Sequence, residues 1–335
     1  MVADAYASCA IDARRHYENF PVASLLMPRR ARRHVAAVYA FARAADDFAD
    51  EGERTGQERK HLLDGWTERL RQAASSAEPG LPPRPGEPSN TVAIFLAVGA
   101  TIRDCSLPVN LFEDLLSAFR QDVDVTRYGT WAELQDYCRR SANPVGRLVL
   151  RISGRDEAKL DAWSDDICTA LQLTNFWQDV TKDYERGRVY LPLEEQRLHC
   201  AREEDLADGR ITPAWRDALS AAALRTRDLF EAGRPLCDAL RGRLRYELRA
   251  TWLGGTRVLD RLARVHFDVA RRRPTLGALD APWFAWRMLA WTTHRAPLAY
   301  GPPSPGRRGG PRERTNQLDL LRRVSKRPDH GGGGP

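Results

Sequence analysis

The chain lacks any run of about 18 apolar residues, the length a membrane-spanning helix needs. Its longest apolar stretch, Thr91–Ile102, is too short and reads as a buried helix. The N-terminus places Asp4 and Asp12 early and has no basic-then-apolar pattern, so no secretory leader is expected. Cysteine is sparse: Cys9, Cys105, Cys138, Cys168, Cys200 and Cys237 stand far apart with no C-x-x-C pair. That argues against a zinc site or a disulfide framework and for reduced thiols in a cytoplasmic protein. Strand-like alternation is almost absent, and no repeat of solenoid length is found. Gly254–Gly255 is not a G-x-G-x-x-G turn, so there is no nicotinamide fingerprint. A basic stripe on a folded element, the mark of a nucleic-acid-binding domain, is missing as well. Of the net charge of +7, +5 falls from Gly301 onward, with eight Lys or Arg against three Asp or Glu. The body is therefore near neutral, and no nucleic-acid partner is expected.

What the sequence has is helix after helix, rich in Ala, Leu, Arg and Glu. The periodicity predicts helices near 3–18, 30–51, 56–75, 89–104, 108–125, 131–153, 156–183, 213–238, 243–271 and 282–293. Asn143–Gly146 contains Pro144 and should kink the helix that it interrupts. Neither half reads as an independent domain, so the fold class expected is all-α, one domain over residues 1–295. From Ala296 to Pro335 the Gly/Pro/Arg-rich composition predicts a disordered tail.

Two stretches stand out. Tyr39 to Asp50 and Leu171 to Asp183 are largely apolar, yet each carries two aspartates one helical turn apart: Asp46 with Asp50, and Asp179 with Asp183. The bland reading of such a pair is a solvated helix face. Against it, Val35–Ala42 is apolar on all sides, and Leu171, Leu173, Phe176, Trp177 and Val180 surround the polar stripe Gln172, Asn175, Asp179, Asp183. Unpaired carboxylates do not tolerate burial. Two such pairs facing each other across a cavity would hold Mg2+ ions through oxygen ligands, and the ions would hold a diphosphate. Arg43, Arg186 and Arg188 are candidate diphosphate clamps. The alternative for Arg43 is a salt bridge to Asp46 or Asp47, and for the other two solvated loop charge.

In order along the chain, these segments resemble the squalene/phytoene synthase family. Asp46 and Asp50 match its first Asp-x-x-x-Asp helix. Gln172, Asn175, Asp179, Asp183 and the run Gly187–Pro192 match its second. His16–Phe20 resembles its His-x-x-Ser/Asn-Phe segment, Tyr39 and Arg43 its Tyr-x-x-x-Arg, and Tyr137–Cys138 its Tyr-Cys pair. The runs His16–Leu25, Ser141–Gly146, Thr174–Asp179 and Arg271–Leu276 look like the hydroxysqualene-forming branch of bacterial hopanoid biosynthesis. Gln178 stands where the squalene and phytoene branches usually carry Arg, and Asn143–Pro144 replaces an Ala-Gly type sequence.

The resemblance implies a helical isoprenoid synthase bundle with a central cavity and a prenyl diphosphate lipid substrate. Asp46, Asp50, Asp179 and Asp183 would ligate several Mg2+ ions. Arg43, Gln172, Asn175, Arg188 and His16 would position diphosphate, and Phe20, Phe41, Val38, Leu148, Leu171 and Phe176 would line an apolar tunnel, with plain core packing the favoured alternative for each one singly. Tyr39 or Tyr137 would face a carbocation; Tyr137, His16 or Asn143 would admit a quenching water. In the hydroxysqualene branch, presqualene diphosphate and water give hydroxysqualene and diphosphate. Head-to-head coupling of two prenyl diphosphates and a noncatalytic scaffold are the alternatives. A lipid substrate implies peripheral contact with the inner membrane face; the basic tail could be drawn to anionic headgroups there, with an unstructured extension that has no function as the favoured alternative.

Overall fold

The computed structural model describes residues 1–15, 27–76 and 82–291. His16, Phe20 and the expected tail 296–335 lie outside them. Among the described residues the structure is helical apart from an isolated bridge between Arg127 and Val189, and its helices belong to one compact unit. The all-α expectation holds.

The N-terminal half is built on α2 (Arg29–Asp50), which packs on α1 (Val2–Arg15), α3 (Gly56–Ser75), α4 (Thr91–Cys105) and α5 (Asn110–Asp122). Its buried positions are mostly alanine, among them Ala36, Ala37, Ala40, Ala44, Ala45 and Ala49. Small side chains let four neighbours approach one rod. Between them lies an aromatic core in which Trp66, Phe95 and Phe112 surround Phe41; the Trp66 indole N–H donates to Phe41 O at 3.3 Å. Thr55 and Glu58 cap the start of α3 reciprocally.

The C-terminal half is built on α8 (Ala158–Glu185), packed by α6 (Trp131–Ser141), α7 (Asn143–Ile152), α11 (Pro213–Gly233) and α13 (Gly242–Arg264). The short helices α9 (Leu193–His199), α10 (Glu203–Ala207), α12 (Leu236–Ala239) and α14 (Ala281–Leu289) complete the bundle. Three expected spans are corrected. The span 131–153 is not one kinked helix but two, because Ala142 takes φ −119° before Asn143–Pro144. The span 243–271 stops at Arg264, and His266 and Phe267 adopt positive φ in the turn that follows. The span 213–238 breaks after Gly233 into α11 and α12.

Candidate active site

Three helices end at one place. Asp50 is the last residue of α2, Asp122 the last of α5, and Asp183 lies in the last turn of α8. Helix C-termini carry partial negative charge, so carboxylates there are doubly unfavourable without cations. The chain supplies one cation directly. Arg188 donates to Asp50 Oδ1 at 2.7 Å and to Asp122 O at 3.1 Å. Its turn is locked: Gly187 takes φ +80°, Arg188 N donates to Asp183 O at 2.8 Å, and Arg127 donates to Gly187 O at 2.6 Å. Arg127 is itself held by Glu203. Burial opposes the charge on Arg188, but the Asp50 bond and the nearby carboxylates outweigh it and raise its pKa.

The acids feel burial and one another. Asp46 is pushed up to about 6 by desolvation and then by Asp50. Asp183 is pushed up to about 7 by desolvation and then by Asp179, with Asp50 of α2 adding to it. Arg188 links the two aspartate helices directly, its backbone N–H on Asp183 O and its guanidinium on Asp50. Asp122 also rises to about 7, through desolvation with Asp50 and Asp46 contributing. Its Oδ2 accepts from the Tyr137 hydroxyl at 2.8 Å, while Oδ1 is buried with no partner.

Asp179 is gripped from elsewhere. Arg273 donates to both of its oxygens, at 2.5 and 2.8 Å. Beside it the buried Gln178 amide donates to Pro274 O, so the segment after α13 folds back over the end of α8. The other stripe residues follow the helix: Gln172 is half-buried and Asn175 exposed.

Arg43 pairs within its own neighbourhood, with Asp47 at 2.6 Å, Glu51 at 2.9 Å and Asp46 at 3.6 Å. That is the salt-bridge alternative. Tyr39 is half-buried near it. Arg186 is exposed, and its charge lowers the pKa of Asp183. Phe41, expected to line a tunnel, has no exposed surface and packs in the aromatic core; Val38 and Leu148 are core residues too. Phe176 instead stacks on Tyr190 with centroids 3.7 Å apart, and Tyr137 and Tyr128 complete that cluster beside Asp122. Asn143 Oδ1 accepts from Thr169 at 2.9 Å and ties α7 to α8.

Sequence reasoning missed Asp122, Tyr190 and Arg273 as members of this site. Asp122 has no acidic partner one turn earlier in α5, so no spacing advertised it. The run Arg271–Arg273 before Pro274 was the only signal for the third.

Among the described residues no three carboxylate, imidazole or thiol groups stand close enough together to hold a metal ion unaided. Mg2+ does not need that, since it keeps waters and takes few carboxylates alongside phosphate oxygens. The donor set fits: hard oxygens, a buried orphan Oδ1 on Asp122, and acids raised by burial and by one another.

A profile of the squalene/phytoene synthase family matches residues 13–280. The chain belongs to that family. It is thus an enzyme of the prenyl diphosphate synthase type. It is 36 % identical to a hydroxysqualene synthase of Zymomonas mobilis over 67 % of this chain and 72 % of that protein. A phytoene synthase of Thermus thermophilus is 34 % identical over 80 % of this chain and 86 % of its own length. The crystal structure of squalene synthase HpnC from Alicyclobacillus acidocaldarius superposes with a TM-score of 0.71 at 37 % identity, covering 80 % of this chain and 96 % of that one. Among the described residues no helix is long and apolar enough to cross a membrane.

Proposed function

We propose that the chain is a hydroxysqualene synthase, converting presqualene diphosphate and water to hydroxysqualene and diphosphate. The observation that carries this reading is Gln178. Immediately before the second aspartate pair stands a buried amide engaged with Pro274 O, not a guanidinium facing the chamber. Coupling two prenyl diphosphates places two polyanions in the chamber together; ionising presqualene diphosphate places one. The hydroxysqualene synthases among its relatives support the same choice.

In this reading Asp46, Asp50, Asp179 and Asp183 would hold Mg2+, and the chemistry it would supply there is neutralisation of the diphosphate leaving group. Arg43, Arg188, Gln172 and Asn175 orient the diphosphate, with Arg188 already fixed between α2 and α5. Heterolysis of the C–O bond leaves a cyclopropylcarbinyl cation. The faces of Phe176, Tyr190 and Tyr137 provide a wall that stabilises such a cation. Water adds through oxygen and must lose a proton. Asp122, with a pKa near the working range and one oxygen free, is suited to accept it, and Tyr137 holds that carboxyl in place.

The test is incubation of the protein with Mg2+ and presqualene diphosphate in 18O-water. An alcohol carrying 18O is expected. A hydrocarbon, or turnover only from farnesyl or geranylgeranyl diphosphate, would make the chain a head-to-head coupling enzyme.

A further inference from the structure

Among the described residues, a cluster of exposed large apolar side chains lies at the last described helix. Leu279 is 96 % exposed, Trp286 60 % and Leu289 84 %. They do not scatter. A 3-10 turn over Ala278–Asp280 runs directly into α14, and residues 279, 282, 286 and 289 recur at helical spacing along one edge. The opposite edge is seated: the Trp283 ring lies under the Arg257 guanidinium at 4.6 Å, and α14 packs on α13. The stripe is therefore the outward face of a docked helix rather than an element left without a partner on every side.

Its charge is equally one-sided. Between Arg271 and Trp291 the sequence has four arginines and one acid, Asp280. That acid is buried and consumed internally, accepting from Arg261 at 2.5 Å and from Gly277 N at 2.8 Å. Arg271 and Arg272 are exposed on the same stretch. An apolar edge with an interfacial tryptophan, flanked by basic residues and with no exposed acid of its own between Arg271 and Trp291, matches a bilayer surface bearing anionic headgroups; the exposed Asp238 at its end is paired with Arg249 and the Trp291 indole N–H. A second protein surface would ask for a broader, flatter apolar patch.

The stretch also starts at the active site, because Arg273 holds Asp179. The geometry points to the Leu279–Trp286–Leu289 edge as a docking surface for an anionic lipid bilayer, seated beside the chamber that receives a lipid diphosphate. The proposed chemistry supplies the reason for docking. The test needs no substrate, so its failure leaves that chemistry standing.

The experiment is co-sedimentation of the full chain with vesicles of equal parts phosphatidylcholine and phosphatidylglycerol, compared with phosphatidylcholine alone. The wild-type chain is expected to bind the mixed vesicles. The triple variant Leu279→Ser, Trp286→Ser, Leu289→Ser should bind about tenfold or more weakly with an unchanged melting temperature. The single Trp286→Ser should fall in between, and Arg271→Glu with Arg272→Glu should weaken binding most at low salt. If the wild-type chain ignores mixed vesicles, the proposal is overturned. Undiminished binding by the triple variant also overturns it, and assigns attraction to the basic C-terminal residues. So does a triple variant that binds vesicles normally but dissociates from dimer to monomer, which would make the edge a contact between copies.

Discussion

The two aspartate helices carry the same spacing and are seated in opposite ways. Helix α2 brings its own small residues: its buried face is alanine after alanine, and larger side chains from α3, α4 and α5 close around it. Helix α8 brings large residues, and its surroundings supply the room. A Cβ on Gly146 of α7 would stand 2.3 Å from Ser164 Oγ and 2.6 Å from Cys168 Sγ; one on Gly233 of α11 would stand 2.6 Å from Trp163 O; one on Gly255 of α13 would stand 2.8 Å from Leu171 Cδ2. The acids differ likewise. Asp46 of α2 meets Arg43 from the same helix, whereas Asp50 is held by Arg188 and Asp179 by Arg273, guanidiniums that arrive 138 and 94 residues later. The α2 pair is thus neutralised partly within its own helix and partly by the tertiary fold, and Asp179 by the tertiary fold.

If the two helices nevertheless act as one metal-binding unit, damage to either should be equally severe. Asp50→Asn and Asp183→Asn are each expected to cut kcat by about a thousandfold, with the helical circular dichroism signal retained. A large loss in one and a small loss in the other would break the symmetry and leave one pair as structure only. The arginines should separate next. Arg188→Leu removes a cation shared by α2 and α5, and kcat/KM should fall about a hundredfold; Arg273→Leu, which touches Asp179 alone, should cost about tenfold.

Acidity sharpens the comparison further. Asp46 rises to about 6 and Asp183 to about 7, both chiefly through desolvation. Each is held above its ordinary value, so the folded chain keeps protons that the unfolded chain has released. As pH rises from about 4 through those folded values, this contribution to stability is lost. Metal and diphosphate require the ionised acids. Thermal stabilisation by Mg2+ with inorganic diphosphate should therefore grow between about pH 6 and 8, with proton release measurable by calorimetry in buffers of different ionisation enthalpy. Asp183→Asn should flatten the upper part of that rise and Asp46→Asn the lower part. A pH-independent shift would mean that the carboxylates are not the ligands.

The same contrast explains what could be read beforehand. Helix α2, its burial and its acidic arc are all written in Val35–Asp50, so local pattern was enough. The acids of α8 were equally visible, but not their setting. Asp122 counts only because α5 happens to end beside α2, and Arg273 only because the chain reverses at His266 and Phe267 with positive φ. Neither event leaves a periodic trace. Phe41 shows the converse failure: an aromatic one turn from acids looks like a cavity wall, and only the direction of the helix assigns it to the core with Trp66.

The smallest effects should come from the glycines that seat α8, and their order is fixed by what each added methyl would meet. At Gly146 the obstacles are the Ser164 hydroxyl and the Cys168 thiol, side-chain atoms that rotate away. At Gly233 one obstacle is the Trp163 carbonyl, with Ile167 N at 3.1 Å, and backbone in mid-helix cannot rotate. Gly233→Ala should therefore cost about 2–3 kcal/mol in urea unfolding and Gly146→Ala about 1 kcal/mol. Since α8 carries Asp179 and Asp183 at its far end, a displaced α8 should also raise the Mg2+ concentration needed for half-maximal turnover. An alanine substitution inside α2 at an exposed position such as Arg33 should leave that concentration unchanged. Equal costs at the two glycines would mean that α8 yields as a rigid rod, and that its seating is set by the bundle as a whole rather than by these close contacts.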